Sequence, residues 1–314
     1  KVKPTGFREY DARWIFEEEI NLLGIQALGA GLGTLIRELN REPRIVVGHD
    51  FRGYSASIKQ ALIVGLMSSG VEVHDIGLAL SPVAYFAQFH LDVPCVAMVT
   101  ASHNENGWTG VKMGADRPRT FGPDEMGRLK DIVLNGKYDL EGGGSYVFVD
   151  GFPKIYMDDL VKDRKIKRPL KVVAACGNGT AGEFAPKVLE AIGCQVIPLD
   201  VELDYSFPRY NPNPEDMKML HAIAGGEKQW RERPFVSMSC CFVVPPLKFA
   251  EDACSTMELG VREGMPILLL AAGQAGATSP AALAGAVVQE VAEVLAGLVY
   301  VNLIKPGHPC IFGT

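Results

Sequence analysis

The sequence lacks paired cysteines and a secretory signal. Its seven cysteines include no C-x-x-C pair and mostly lie inside apolar runs. Zinc sites built on such pairs are therefore not expected, and the thiols are predicted to stay reduced, as in the cytoplasm. The first residues, KVKPTGFREYD, contain no apolar segment of the kind a signal peptide needs. We therefore predict a cytoplasmic protein.

The sequence also lacks an excess of positive charge and a long uninterrupted apolar run. The net charge is −6, which argues against nucleic acid as a partner because phosphate backbones require a basic face. The longest apolar stretch, near the end, is broken by Gln289, Glu290 and Glu293. Carboxylates are costly at a bilayer centre, so this stretch predicts a buried amphipathic helix and no membrane partner. No pattern specifies an oligomeric state.

What is present is typical of a folded α/β protein. The 314 residues, 47% of them hydrophobic, are enough for two or three domains. Strand and helix patterns alternate over residues 1–140 and again over 150–223, which predicts two α/β domains. The intervening NGKYDLEGGGSY reads as a loop at the domain boundary. Gly29, Gly31 and Gly33 lie within a helical pattern and predict close helix packing instead of a nucleotide loop.

The last third differs in composition. Charged residues fall from about 24% of residues 1–223 to about 15% of residues 224–314, and we place a join near Ile223. Strands are expected at 235–244, 266–272 and 309–312, with helices at 248–263 and 280–303. This βαβαβ order predicts parallel strands. Cys240 and Cys241 are expected to be buried thiols and not ligands or nucleophiles.

The stretch MVTASHNENGWTGVKMG, residues 98–114, carries the most chemistry. Ser102 follows a buried strand, and sites in open α/β sheets collect at strand ends. A serine hydroxyl there could carry a phosphoryl group, with His103 and Asn104 as donors to phosphate oxygens. Lys112 could return to the site as a charge or a general acid/base. The alternative from the residues alone is a polar loop with a solvated Lys112.

This stretch resembles the phosphoserine loop of the α-D-phosphohexomutases, the phosphomannomutase/phosphoglucomutase superfamily, whose usual form is T-A/G-S-H-N-P followed by G-x-K. Four further segments resemble elements of that family in the right order. They are GFREYDARW, VVGHDFRGYS, GNGTAGEFAP and RYNPNPE. The resemblance covers residues 1–223 and implies two phosphohexomutase-type α/β domains, 1–140 and 150–223, the second incomplete.

The resemblance also implies residue roles. Ser102 would be phosphorylated, give its phosphoryl group to a hexose phosphate and take one back from the bisphosphate intermediate. Lys112 would be the general acid/base, and Arg8 would hold the phosphoserine environment, assisted by His103 and Asn104. Arg52 would contribute with Asn104 to phosphate binding and shape the site. Glu105 stands where the family usually has proline, and a carboxylate there repels a phosphoserine unless it points away.

The family resemblance implies Mg²⁺, bound by the phosphoserine oxygen of Ser102 and by three aspartates of a D-G-D-G-D-R loop. After Asp204 the sequence contains only Asp216 and Asp252, so that loop is missing. The sugar-reading residues and the R-x-S-N-T-type phosphate loop are missing as well. We therefore expect interconversion of hexose 1- and 6-phosphates to be impaired. Without those residues the sequence does not specify which hexose is used.

Residues 224–314 resemble an internal part of a trimethylamine methyltransferase, through GQAGATSPAALAGA and KPGHPCIFG. That family builds a TIM-type barrel, so the resemblance implies a barrel-like βαβαβ fragment. The family's pyrrolysine position matches no residue here, and an incomplete barrel lacks a preorganised site. Two alternatives to an impaired phosphohexomutase remain, a methyltransferase-related protein and a non-catalytic chimera. The join itself would be either a real fusion or an assembly artefact.

Overall fold

A computed structural model of the chain describes residues 1–117, 119–208, 220–221, 224–273, 275–276 and 278–313, without the side chain of Asp252. The predicted join at Ile223 and the RYNPNPE segment fall outside these residues. The chain forms two compact units, Lys1–Pro212 and Asn213–Thr314.

The first unit contains a six-stranded sheet with the strand order β1-β5-β4-β2-β3-β6. Parallel strands β2, β3, β4 and β6 form one side of it, and β5 runs antiparallel to β4 and β1. The strands are β1 Ala12–Ile15, β2 Arg44–His49, β3 Glu72–Leu78, β4 Cys95–Val99, β5 Trp108–Gly114 and β6 Tyr146–Phe148. The helices are α1 Leu22–Glu38, α2 Ser55–Ser68, α3 Ser81–His90 and α4 Pro123–Leu134.

Apolar clusters lie on both faces of this sheet, so the sheet is the middle layer of three, with helices on each side. The larger cluster packs α1, α2 and α4 on one face, and the other packs α3 on the opposite face. The central strand β4 is buried along its whole length. Such continuous burial is typical of a strand covered on both faces, and it leaves the carboxyl end of β4 as the place where polar residues emerge.

A second α/β layer completes the first unit. It consists of α5 Phe152–Val161, β7 Lys171–Ala175, α6 Ala181–Ala191 and β8 Gln195–Leu199, and β7 and β8 pair in parallel. The loop predicted between the two domains is partly wrong. Its last residue, Tyr146, begins β6, which pairs in parallel with β3. All three β6 residues are exposed, so no apolar alternation indicated this strand.

The second unit has the predicted parallel order. Its three strands, β9 Met238–Cys241, β12 Ile267–Leu270 and β13 Cys310–Gly313, lie with β12 in the middle. An antiparallel pair of short strands, β10 Val243–Val244 and β11 Lys248–Phe249, interrupts the strand predicted at 235–244. The helices are α7 Glu227–Glu232, α8 Glu251–Arg262 and α9 Leu283–Ile304.

Two sequence predictions for this unit need correction. Cys240 is buried and burial raises its pKa to about 11, but Cys241, expected to be buried, is exposed. Helix α9 is buried on one side only. Its opposite side presents exposed apolar residues, among them Leu283, Val288 and Leu303. Within the described residues, α9 is also the one helix long and apolar enough to cross a membrane, judged by length and composition.

The glycines of α1 allow close packing against α2, as predicted. A Cβ on Gly29 would lie 2.2 Å from the Leu62 carbonyl oxygen, and a Cβ on Gly65 would lie 2.0 Å from that of Gln26. These neighbours are backbone atoms, which cannot move aside without separating the helices. The close crossing of α1 and α2 therefore requires glycine, which has no Cβ, at positions 29 and 65.

We expect Gly29→Ala to lower the free energy of unfolding by about 1–3 kcal/mol, because the added methyl group overpacks this crossing. Urea denaturation measures the change. Gly127→Ala in α4 is the matched control, since a Cβ there meets nothing within 4 Å. Alanine is the better helix former, so G127A should be stabilising or neutral. A G29A chain as stable as wild type would contradict the tight crossing.

Candidate active site

The candidate site lies where β4 ends and the chain turns toward β5. Ser102 is exposed at this turn and has a left-handed backbone, with φ +55°. Its Oγ lies 3.4 Å from His103 Nδ1. The side chain of Glu105 is exposed in the same loop. The carboxylate that replaces the usual proline is therefore solvated.

Hydrogen bonds from the turn that follows β2 hold the loop that contains Ser102. The Arg52 guanidinium donates through Nη2 to the carbonyl oxygens of Ser102, at 3.3 Å, and Asn104, at 2.6 Å. It also pairs with Asp50, and both side chains are nearly completely buried. Arg52, predicted to help bind phosphate, thus directs its Nη1 and Nη2 groups to Asp50 and to the loop. The structure supports the shaping part of its predicted role.

Tyr54 closes the far end of the loop. Its hydroxyl donates to the Trp108 carbonyl oxygen at 2.8 Å and accepts from the Gly107 N–H at 2.7 Å. The predicted Arg8 stacks its guanidinium 5.9 Å from the centre of the Trp108 ring. Arg8 therefore borders the loop at its return into β5.

Lys112 lies on β5, directly opposite Met98 of β4. Antiparallel pairing of these strands brings it back toward the loop that follows β4. Burial lowers the pKa of Lys112, and the positive charge of Arg13 lowers it further. Partial burial, with the charges of Arg13 and Lys112, likewise lowers the pKa of His103. Both shifts make the neutral form more accessible than in an ordinary lysine or histidine, and a neutral amine or imidazole can accept a proton.

Arg13 is a site residue that the sequence reasoning missed. It lies on β1 opposite Gly110, and its Nη1 donates to the side-chain oxygen of Asn104 and, at 3.2 Å, to the Ala101 carbonyl oxygen. Asp11 holds the guanidinium at 2.8 Å. The sequence offered a signal for Arg13, because the GFREYDARW segment contains two arginines, Arg8 and Arg13. Only Arg8 was assigned a role. Asn104 is thus oriented by Arg13.

A cavity of about 590 Å³ opens beside Ser102. Its walls include Ser102, His103 and Arg52 on one side and the turn from Cys176 to Ala181 on the other. The two walls come from the carboxyl ends of β2 and β4 and of β7, where ligands bind in open α/β sheets. The volume lies in the range of small-molecule sites.

The side chains around Ser102 do not fit a magnesium centre. Asp50 accepts hydrogen bonds from Arg52, Thr100 and Ser55, and Asp11 is paired with Arg13. Hard cations such as Mg²⁺ require oxygen ligands that are free to coordinate. Within the described part of the chain, no group of three or more His, Cys, Asp or Glu residues could hold a metal ion. Among these residues, the Mg²⁺ implied by the resemblance has no protein ligand set.

Comparison with known proteins gives three family matches. Residues 4–139 match phosphoglucomutase/phosphomannomutase α/β/α domain I, and residues 154–233 match domain II of the same family. Residues 207–314 match trimethylamine methyltransferase. The second and third matches overlap between 207 and 233, around the predicted join.

Individual relatives agree with the first two matches. A phosphomannomutase/phosphoglucomutase of Pseudomonas aeruginosa is 35% identical over 226 residues, which are 70% of this chain and 48% of that protein. A Vibrio cholerae phosphomannomutase is 33% identical over 221 residues, 67% of this chain and 47% of that protein. The chain thus spans about half the length of the curated relatives it matches.

A solved structure shows the same fold. The crystal structure of a phosphoglucomutase/phosphomannomutase family protein from Burkholderia thailandensis has a TM-score of 0.64 and 28% identity, covering 71% of this chain and 50% of that one. Fold, motifs and sequence identity agree over the same residues. From residue 4 to residue 233 the chain belongs to the phosphoglucomutase/phosphomannomutase family, and its last part resembles trimethylamine methyltransferase.

Proposed function

We propose that Ser102 exchanges a phosphoryl group with a hexose phosphate, as in an intramolecular phosphotransferase of the phosphohexomutase type. The observation that carries this proposal is the placement of Ser102 at the end of β4, with Lys112 on the neighbouring strand β5 close enough for its charge to lower the pKa of His103. The relatives named as phosphomannomutases and phosphoglucomutases support a phosphosugar as the substrate class.

In the loading step, Ser102 Oγ attacks a phosphoryl group of a hexose bisphosphate. The Oγ–P bond forms, the bond from phosphorus to the sugar oxygen breaks, and the serine proton ends on the released sugar oxygen. In the reverse direction a sugar hydroxyl attacks phosphoserine. The bond from phosphorus to the sugar oxygen forms, the Oγ–P bond breaks, and the hydroxyl proton, taken up by neutral Lys112, ends on the released Ser102 Oγ. Asn104, held by Arg13, and His103 border the phosphoryl group as donors to its oxygens.

We further propose that these 314 residues turn over poorly. The family's metal neutralises charge on the phosphoryl group in flight, and the side chains present do not replace its ligands. A coupled assay with glucose 1-phosphate, Mg²⁺ and a bisphosphate activator should therefore give mutase rates at or near background. Ordinary turnover rates would refute the impairment. The cytoplasmic location predicted from the free thiols remains part of this proposal.

The second unit supports a narrower proposal. Three parallel strands joined by α8 and α9 are the repeating arrangement of a β/α barrel, and the trimethylamine methyltransferase match covers the same residues. We propose that the unit is a barrel-type fragment. Three strands cannot close a barrel, so no methyl-transfer activity is proposed for it.

The loading step predicts a measurable modification of Ser102. Incubation of the chain with glucose 1,6-bisphosphate should add one phosphoryl group, located by peptide mass spectrometry on Ser102. Ser102→Ala should remove the modification completely. Ser68→Ala is the control, because Ser68 is half-buried on α2 and its hydroxyl donates to the Val64 carbonyl oxygen of the same helix. Modification of the S102A chain, or none of the wild-type chain, would overturn the proposed function.

A further inference from the structure

Ser102 occupies a backbone conformation that a non-glycine residue rarely adopts. Its φ of +55° brings the Cβ close to neighbouring backbone atoms. Conformations of this kind persist only when the surroundings hold them, and they cluster at functional sites. The side chain of Ser102 is exposed, so contacts to its backbone must hold this conformation.

The backbone of Ser102 is held on both sides. Its N–H donates to Thr100 Oγ1 at 3.0 Å, and its carbonyl oxygen accepts from Arg52 Nη2 at 3.3 Å. Thr100 is 8% exposed and Arg52 is 6% exposed, so neither contact competes freely with water. Two buried side chains, Thr100 and Arg52, thus hydrogen-bond to the backbone N–H and carbonyl oxygen of Ser102, whose own side chain is exposed.

Both of these side chains bind the same carboxylate, that of Asp50. Asp50, 5% exposed, accepts the Thr100 hydroxyl at 2.9 Å and pairs with the Arg52 guanidinium. It also accepts the Ser55 hydroxyl at 2.6 Å. A threonine hydroxyl has one hydrogen to donate. Because that hydrogen goes to Asp50, a lone pair of Thr100 Oγ1 faces the Ser102 N–H.

We propose that Thr100 is a positioning residue for the phosphoryl transfer, holding Ser102 in its left-handed conformation through the hydroxyl that Asp50 orients. This inference rests on the proposed function for its catalytic meaning. The hydroxyl acts through Ser102 and does not contact substrate. A fixed Ser102 backbone fixes the direction of Cβ–Oγ, and phosphoryl transfer requires attacking and leaving oxygens in line.

The chain offers a matched pair of threonines to test this. Thr100→Val removes the hydroxyl at nearly constant shape, and Thr100→Ser retains it. The control is Thr34→Val. Thr34 is also buried in the first unit and also bonds to backbone, donating to the Ala30 carbonyl oxygen at 2.9 Å and accepting from the Asp139 N–H at 2.9 Å. It lies on α1, away from the Ser102 loop.

The first readout is amide hydrogen exchange of the peptide that contains Ser102, measured without any phosphosugar. We expect at least about a tenfold faster exchange in T100V, from loss of a buried backbone hydrogen bond, and wild-type exchange in T100S and T34V. Unchanged exchange in T100V would overturn the inference. Equal acceleration in T34V would do so too, because it would reduce the effect to general destabilisation.

The second readout is the rate of Ser102 phosphorylation by glucose 1,6-bisphosphate. It should fall by about 10–100-fold in T100V, as expected when a nucleophile is misplaced, recover in T100S and stay normal in T34V. A normal rate in T100V would refute the positioning role even if exchange changed. If the wild-type chain accepts no phosphoryl group, the proposed function fails, while the exchange measurement still decides whether Thr100 holds the loop.

Discussion

Lys112→Met is expected to slow phosphoryl transfer at Ser102 by about 10²–10⁴-fold, the usual range for loss of a general acid/base. Lys112 is half-buried on β5, and its pKa is lowered by burial and by Arg13. A larger fraction of it is therefore neutral near physiological pH than for an ordinary lysine. The measurement is transfer of phosphate from phosphorylated Ser102 to glucose 1-phosphate, followed by loss of phosphoserine in the intact mass.

The pH dependence of that transfer tests the same point. The base form of Lys112 grows as pH rises toward its lowered pKa, so the wild-type rate should rise from neutral pH and level off below about 10.4, the value of an unperturbed lysine. K112M should show no such rise. Lys187→Met is the control, since Lys187 is exposed on α6 and pairs with Glu183. A K112M rate and pH profile like the wild type would remove Lys112 from the mechanism.

The same substitution should not harm folding. A lysine whose folded pKa lies below its unfolded value binds its proton more weakly in the folded state, so it reduces stability as pH falls through that window. Methionine removes this penalty and keeps the apolar stem. Thermal unfolding of K112M near neutral pH should therefore begin no earlier than that of the wild type, which separates lost catalysis from lost structure.

Asp75→Ala is expected to lower the free energy of unfolding of the first unit by about 3–5 kcal/mol, because it leaves the buried charge of Lys59 without a partner. Asp75 on β3 is 1% exposed and Lys59 on α2 is 4% exposed. The carboxylate accepts Lys59 Nζ at 2.7 and 2.6 Å, the Gly77 N–H at 2.9 Å and the Tyr146 hydroxyl at 3.0 Å. It thus joins α2, β3 and β6.

Urea denaturation of three variants tests this prediction. The double variant Lys59→Met, Asp75→Leu should recover most of the loss, since an apolar pair replaces an ion pair without stranding a charge. Asp158→Ala removes a carboxylate from an exposed pair with Lys154 and should stay near wild type. A D75A chain as stable as D158A would show that the buried pair does not hold α2, β3 and β6 together.

Contiguous motifs let much of the site be predicted from the sequence. Ser102, His103 and Asn104 are neighbours in the chain, and the buried run before them places them at a strand end. The glycines of α1 were also interpretable, because the helical pattern around them excluded a nucleotide loop. Sequence order, apolar periodicity and local residue chemistry were sufficient for these features. The α/β alternation and the parallel order of β9, β12 and β13 follow from the same kind of signal.

Other features depend on contacts between distant residues. Nη2 of Arg52 donates to backbone oxygens about fifty positions later in the chain, and the motif around Arg52 does not indicate these partners. Arg13 reaches Asn104 only because β1 pairs with β5. Cys241 is exposed although the run around it is apolar, since the chain turns into β10 immediately after it. Local periodicity does not encode which partner a side chain meets.

The sequence by itself thus determined that a serine presented at a strand end belongs to a phosphohexomutase-type domain, and that the character of the chain changes in its last third. Only the tertiary structure decided how that serine is held. Asp50, Thr100 and Arg52 converge on Ser102 because β2 and β4 lie side by side in the sheet. Hydrogen bonds act over about 3 Å, so a loop is positioned by the residues that folding brings next to it, whatever their separation in sequence.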